Sequence, residues 1–321
     1  MTDITTPWGC ATSLFAVIRD AMPQFTDLVD MAMDVIADGD WFDDGPFYDG
    51  RLEEVKNMVR AVVGPVGLHM ARWRSFEFSP PADYEWAFPG EAIWELFTHP
   101  TPNLEVFVLN GPISSEITPF SDVFPDLKSV RHLTLCDPDP DGFREASLSR
   151  HLLRTAVLHY DSENTLEVLS SCNALQELTI TNIRRDSTDP VGRQDVELHS
   201  LRRLTLEGDM SALEHVVFHA PSLEDVTLRC EQVQGLPKVR ARSCVWVPGG
   251  EKISDLMTSS VRGLLVGVEE LEELIIECEP VEGLGVAVRE MIEQQGSSVM
   301  ETLRVIRFVK SGMEVDIIHI K

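Results

Sequence analysis

Leu201 to Leu228 reads LRRLTLEGDMSALEHVVFHAPSLEDVTL, a stretch that opens and closes on one six-residue pattern, L-x-x-L-x-L. In an extended strand successive side chains alternate between faces, so the last two apolar positions of each hexad share one side and the residue between them points the other way. A strand this short cannot bury its leucines alone. It needs a like strand beside it.

Working outward with the hexad as a ruler, its first position recurs at Leu104 (LEVFVL), Val130 (VRHLTL), Leu153 (LRTAVL), Leu175 (LQELTI), Leu201, Leu223, Leu271 (LEELII) and Leu303 (LRVIRF). The steps are 26, 23, 22, 26, 22, 48 and 32 residues. The longest reads as two repeats of about 24 residues, inside the span of roughly 20–29 that defines a leucine-rich repeat. The skipped strand is expected within Ala241 to Val247, where SCVWV is a β-branched and aromatic run. An earlier, degenerate member is expected at Trp73 to Phe78 (WRSFEF). The pattern predicts an α/β leucine-rich repeat solenoid, a horseshoe with parallel strands on its concave face.

The segments between hexads supply the returning arms. SENTLEVLSSC (162–172), DMSALEHVVFHA (209–220), KISDLMTSSVRGLL (252–265) and GLGVAVREMIEQQ (283–295) read as helices, ITPFSDVFPDL as a looser turn, and EAIWELF (91–97) as a helical turn. Upstream, residues 12–36 and 51–70 carry apolar residues at helical spacing around an Asp- and Gly-rich loop at 36–50. A repeat stack exposes an apolar end unless something covers it, so residues 1–72 are expected to form an N-terminal helical cap on a single solenoid domain of residues 73–321. The final run, GMEVDIIHIK, alternates, and is expected to form a strand beside RVIRF with its apolar residues against Ile306 and Phe308.

Composition narrows the function. With 27 Lys and Arg against 53 Asp and Glu, a formal charge of −26, the chain lacks the clustered cations that a phosphate backbone requires, which argues against nucleic acid. No apolar run is long enough to cross a membrane, and the start lacks a basic region ahead of its short apolar run. Six scattered cysteines form no C-x-x-C, which fits a reducing compartment and predicts a cytoplasmic or nuclear protein without a zinc site.

Several of these stretches together carry a resemblance: RWRSFEFSPP, PNLEVF, FPDLKSVRHLTL and SSCNALQELTI resemble the leucine-rich repeat regions of the large basidiomycete fungal family of F-box-like proteins, over roughly residues 12–310. The resemblance implies a substrate-recognition scaffold linked to a ubiquitin-ligase adaptor. The L-P-x-E-I type segment that opens the family's F-box, which docks that adaptor, is not found in this sequence.

Small motifs that suggest chemistry have blander readings. Asp137, Asp139, Asp141 and Gly142 (DPDPDG) match the opening of a calcium loop, but Leu148 stands where the loop needs a bidentate Glu, so a solvated turn is the better reading. His215 and His219 lie four apart in EHVVFH without the H-E-x-x-H order or a third ligand, and read as exposed residues of a helix. No nucleophile elbow, phosphate loop or dinucleotide fingerprint occurs, so neither enzyme activity nor a cofactor is expected. What remains is the inner face of the strands, expected to bind a protein partner. Its central column is Val108, Thr134, Val157, Thr179, Thr205, Thr227, Ile275 and Arg307, and its candidate binding residues are His132, His159, Glu177, Arg203, Asp225, Arg229 and Glu273. The alternative is a small-molecule binder or enzyme with a pocket between the cap and the first repeats, near Trp41, Trp73, Trp86 and Trp94.

Overall fold

The computed structural model describes residues 56–57, 59–78, 95–110, 122–136, 148–160, 166, 169–183, 193–231, 233, 236–248, 254–278, 286, 288–290, 302–310 and 313–320. Residues 1–55 and 58 of the expected cap at 1–72, the acidic loop, the DPDPDG turn, and Trp41, Trp86 and Trp94 lie outside the described residues. The chain divides into two compact units, Met1–Leu153 and Arg154–Lys321.

The first unit holds three parallel strands, β1 (Ser75–Phe78), β2 (Val106–Asn110) and β3 (His132–Cys136). β1 falls on WRSFEF, and β2 and β3 on the hexads at Leu104 and Val130. Their inward residues meet an aromatic cluster in which Phe76 stacks on Phe107 with centroids 5.5 Å apart and Phe97 stacks on Phe124 at 5.3 Å. Trp73 closes one side of the cluster, 6.0 Å from Phe76. Such rings bury large apolar areas and prefer the offset and tilted contacts seen here. Ahead of β1, helical turns through 59–63 end in the tight turn Gly64 to Gly67, whose glycines adopt φ of 77° and 70°.

The second unit is built on a sheet ordered β4 (Thr155–His159), β5 (Glu177–Ile183), β7 (Arg203–Gly208), β9 (Asp225–Arg229), β11 (Ser243–Val247), β13 (Glu273–Glu277), β14 (Val305–Lys310) and β15 (Met313–His319). Every pairing is parallel except β14 with β15. The chain is thus an α/β protein with mostly parallel sheet and few helices among the described residues. Register follows the hexads: Val157 pairs with Thr179, Thr179 with Thr205 and Thr205 with Thr227. The 48-residue gap divides unequally, because Val245 pairs back to Thr227, 18 residues away, and forward to Ile275, 30 residues away. In that rung the three hexad positions are Ala241, Cys244 and Trp246, all buried.

One backbone device recurs from rung to rung. The carbonyl of the residue before each strand accepts two successive N–H groups of the next: Arg154 O from Gln176 and Glu177, Gln176 O from Arg202 and Arg203, Arg202 O from Glu224 and Asp225, Glu224 O from Arg242 and Ser243, and Arg242 O from Glu272 and Glu273. In the first unit Arg74 O accepts from Glu105 and Val106 in the same way. A one-residue slip would break both bonds and turn every leucine to solvent, so pattern and ladder enforce the same register. Each fully buried Leu, Val or Ile adds roughly 1.5–3 kcal/mol, and Leu178, Leu204, Val226, Leu274 and Ile306 are all at most 1 % exposed.

The returning arms depart from expectation. Ser254–Gly267 is a helix, overlapping the predicted KISDLMTSSVRGLL segment (252–265) and running two residues past it, and helical residues occur at 166, 169, 286 and 288–290. The 209–220 arm is not one helix: a single 3-10 turn, Met210–Leu213, capped by Asp209 Oδ1 accepting from Ser211 N at 3.0 Å, leads into β8 (Val216–His219). Val216, Val217 and Phe218 are strand formers, and their buried, half-buried, buried sequence has period two, which overrides the helical spacing. β8 pairs in parallel with β6 (Gln194–Glu197), and β10 (Val239–Arg240) with β12 (Val268–Glu269), so several arms return extended. The predicted terminal strand is β15; Ile318 is 2 % exposed opposite Ile306, but Val315 and Met313 are 47 % and 70 % exposed, so only part of its apolar set is covered.

Candidate functional site

The exposed face of the second unit's sheet is set by the alternation of the hexad. Burial along β4, β9 and β13 reads half-buried or exposed at odd positions and buried at even ones, so each strand lends three side chains to solvent. The middle column runs Val157, Thr179, Thr205, Thr227, Val245, Ile275 and Arg307, all half-buried and in direct register. β-Branched residues suit this surface because neighbouring rungs pack their methyl groups against one another.

Charge lies to either side and is organised by rung. Arg203 Nη2 reaches Glu177 Oε1 on the preceding strand at 2.9 Å, and Arg229 Nη1 lies 3.7 Å from Glu207 Oε2. Arg307 bridges three strands: its Nε donates to Glu273 Oε1 at 2.6 Å and its Nη1 to Glu314 Oε2 at 2.7 Å. Those two carboxylates, Glu314 before Glu273, raise the Arg307 pKa above its ordinary value. Pairs this exposed hold side chains in place more than they stabilise the fold.

Of the candidate residues, Glu177, Arg203, Asp225, Arg229 and Glu273 share this face, with Arg203 in register between Glu177 and Asp225. Asp225 forms no ion pair among the described residues and is exposed. His159 is half-buried at the end of β4, opposite Thr181. His132 stands on β3 of the first unit, exposed, and is described with that unit. Glu207, Arg307 and Glu314 complete the charge pattern without standing out among the sequence candidates. Periodicity places Arg307 in the central column and Glu207 in a flanking one, whereas Glu314 follows from the hairpin.

A second cluster occupies the β6–β8 sheet. His219 Nε2 lies 2.9 Å from Asp195 Oδ1, and Arg193 donates to the same oxygen from Nε at 3.3 Å and Nη2 at 3.0 Å. The hydrogen bonds from His219 and then Arg193 lower the Asp195 pKa from its ordinary value. His215 and His219 therefore do not stand one turn apart on a helix. His219 is on a strand, and the buried Nε2 of His215, just ahead of that strand, has no hydrogen-bond partner among the described residues. Among the described residues no three or more His, Cys, Asp or Glu gather in a way that would hold a metal ion.

The side chains of Cys172, Cys230, Cys244 and Cys278 are buried. Burial pushes Cys230 and Cys244 up to about 12, so both stay protonated and unreactive. In the first unit, Trp73 packs its ring into the phenylalanine cluster. No described helix is long and apolar enough to cross a membrane. Compared with known proteins, the chain matches no family model, no curated protein and no solved structure.

Proposed function

We propose that the chain is a leucine-rich repeat solenoid and serves as a non-enzymatic protein-interaction scaffold, with its partner lying across the solvent-facing columns of the second unit. The observation that carries this reading is the in-register ladder of half-buried β-branched residues flanked by positioned charges. An extended polar chain crossing the strands would meet a like set of groups at each rung, about 4.8 Å apart. Repeat scaffolds characteristically use such surfaces, since each rung adds contact area without changing the core.

The resemblance to F-box-like proteins points to substrate recognition for a ubiquitin ligase. Affinity capture from a fungal lysate, with the wild-type chain and with Arg203→Glu and Asp225→Arg as baits, tests both parts. A partner held by wild type and lost from both variants, each still melting as wild type does, supports the face. Recovery of a ubiquitin-ligase adaptor supports the ligase link. Equal capture by all three baits removes the face from the reading.

A further inference from the structure

We infer that Asp316 terminates the sheet of the second unit by taking, with its own carboxylate, the edge N–H that an incoming strand would need. Ile320 N–H donates to Arg304 O at 2.9 Å, which sets the phase of the antiparallel β14–β15 ladder. In such a ladder hydrogen-bonded and non-hydrogen-bonded pairs alternate. Val305 with His319 and Arg307 with Ile317 are therefore non-hydrogen-bonded pairs, while Ile306 with Ile318 is hydrogen-bonded. The N–H groups of Ile317 and His319 point away from β14, to the side where no strand lies among the described residues.

An open edge of this kind is a template for another chain. The Ile317 donor is occupied: its N–H donates to Asp316 Oδ1 at 2.8 Å. Asp316 is paired with Phe308, and directly opposed residues project from the same face. Phe308 is 6 % exposed, so Asp316, itself exposed at the open edge, projects on the core side of the ladder and not with the solvent columns. A further strand laid against β15 would have to break the Asp316–Ile317 hydrogen bond and bury a charge on the core side.

The register adds a second obstacle. Val309 pairs with Glu314 and Phe308 with Asp316, so Val315 is an extra residue, a bulge that twists the strand out of plane. What the guard restrains is apolar: Met313 is largely and Val315 about half exposed, beside Ile317 and Ile318.

Two measurements on the full chain test the inference. Asp316→Val removes the acceptor and makes residues 315–318 one apolar run; sedimentation velocity should show its weight-average mass rising about twofold with concentration, as a two-fold dimer requires, beyond any change in wild type. A variant that sediments like wild type at every concentration overturns the inference. Amide hydrogen exchange on the unaltered chain is independent of whether the variant folds: Ile317 should show a protection factor about five- to tenfold above that of His319, the effect of one hydrogen bond. Equal protection at the two outward amides would also overturn it.

Discussion

Gly263→Ala sets two effects of opposite sign against each other. Alanine is the better helix former by about 1 kcal/mol, and Gly263 lies inside the helix Ser254–Gly267, so propensity alone makes the substitution stabilising. A Cβ at that position would stand 2.4 Å from Val233 O and 3.5 Å from Val233 Cγ1. Restoring ordinary contact, at 3.4 Å or beyond, means parting helix and neighbouring arm by about 1 Å. The arm cannot yield freely, because Val233 N–H donates to the buried Ser260 Oγ at 3.3 Å, one turn earlier on the same helix. Overpacking of this kind costs about 1–3 kcal/mol, and a stretched hydrogen bond to a buried amide adds roughly 1 kcal/mol. The sum exceeds the propensity gain, so a net loss of about 1–3 kcal/mol is expected. Urea unfolding should show a lower midpoint with an unchanged slope. Ser260→Ala should destabilise in its own right and combine non-additively with Gly263→Ala, since both act on one contact. A raised midpoint for Gly263→Ala would show that the helix and the arm are not in contact there, and the argument would fail.

Two further outcomes follow from buried or paired groups. Trp246 is 1 % exposed and its Nε1 donates to Cys230 O at 3.2 Å; Trp246→Phe leaves that carbonyl unpaired and a small cavity, a loss of about 2–4 kcal/mol by urea midpoint, and a change below about 0.5 kcal/mol would contradict the assignment. The lowered pKa of Asp195 means that its pairs stabilise the folded state above its ordinary value of 3.8 and are lost as pH falls through the depressed folded value. The midpoint difference between wild type and Asp195→Asn should therefore be present at neutral pH and close only below 3.8; a difference that persists unchanged in acid would remove Asp195 as its source.

The rungs were legible because three large side chains at fixed spacing have one extended solution. Leu201, Leu204 and Leu206 state it directly, and Ala241, Cys244 and Trp246 state it in disguise, with a large indole filling a rung whose first position is small. The returning arms were less legible. In LEHVVFH, Leu213, Val217 and Phe218 fit a helical stripe, while Leu213, Val216 and Phe218 are the residues buried, and nothing local separates the two readings until β6 offers a parallel partner. The charges of the exposed face could be placed by column but not paired, since pairing depends on which rung precedes which. Glu314 reaches Arg307 only through a hairpin that reverses the chain. The Asp195–His219 contact joins residues whose proximity depends on the second sheet, which sequence spacing did not reveal.

The forked carbonyls give the junctions between rungs a backbone joint that does not depend on side chains. Arg154, Gln176, Arg202, Glu224, Arg242 and Glu272 hold the same post, and each serves it with its peptide oxygen. Folding therefore places little demand on the residue type there, and the variety of charge at that post is available to whatever the surface must meet. The same indifference makes each seam alike: a rung removed whole would leave behind one acceptor and two donors of the kind its neighbours already use. Sheets of this sort can change length by whole rungs without a new joint being devised.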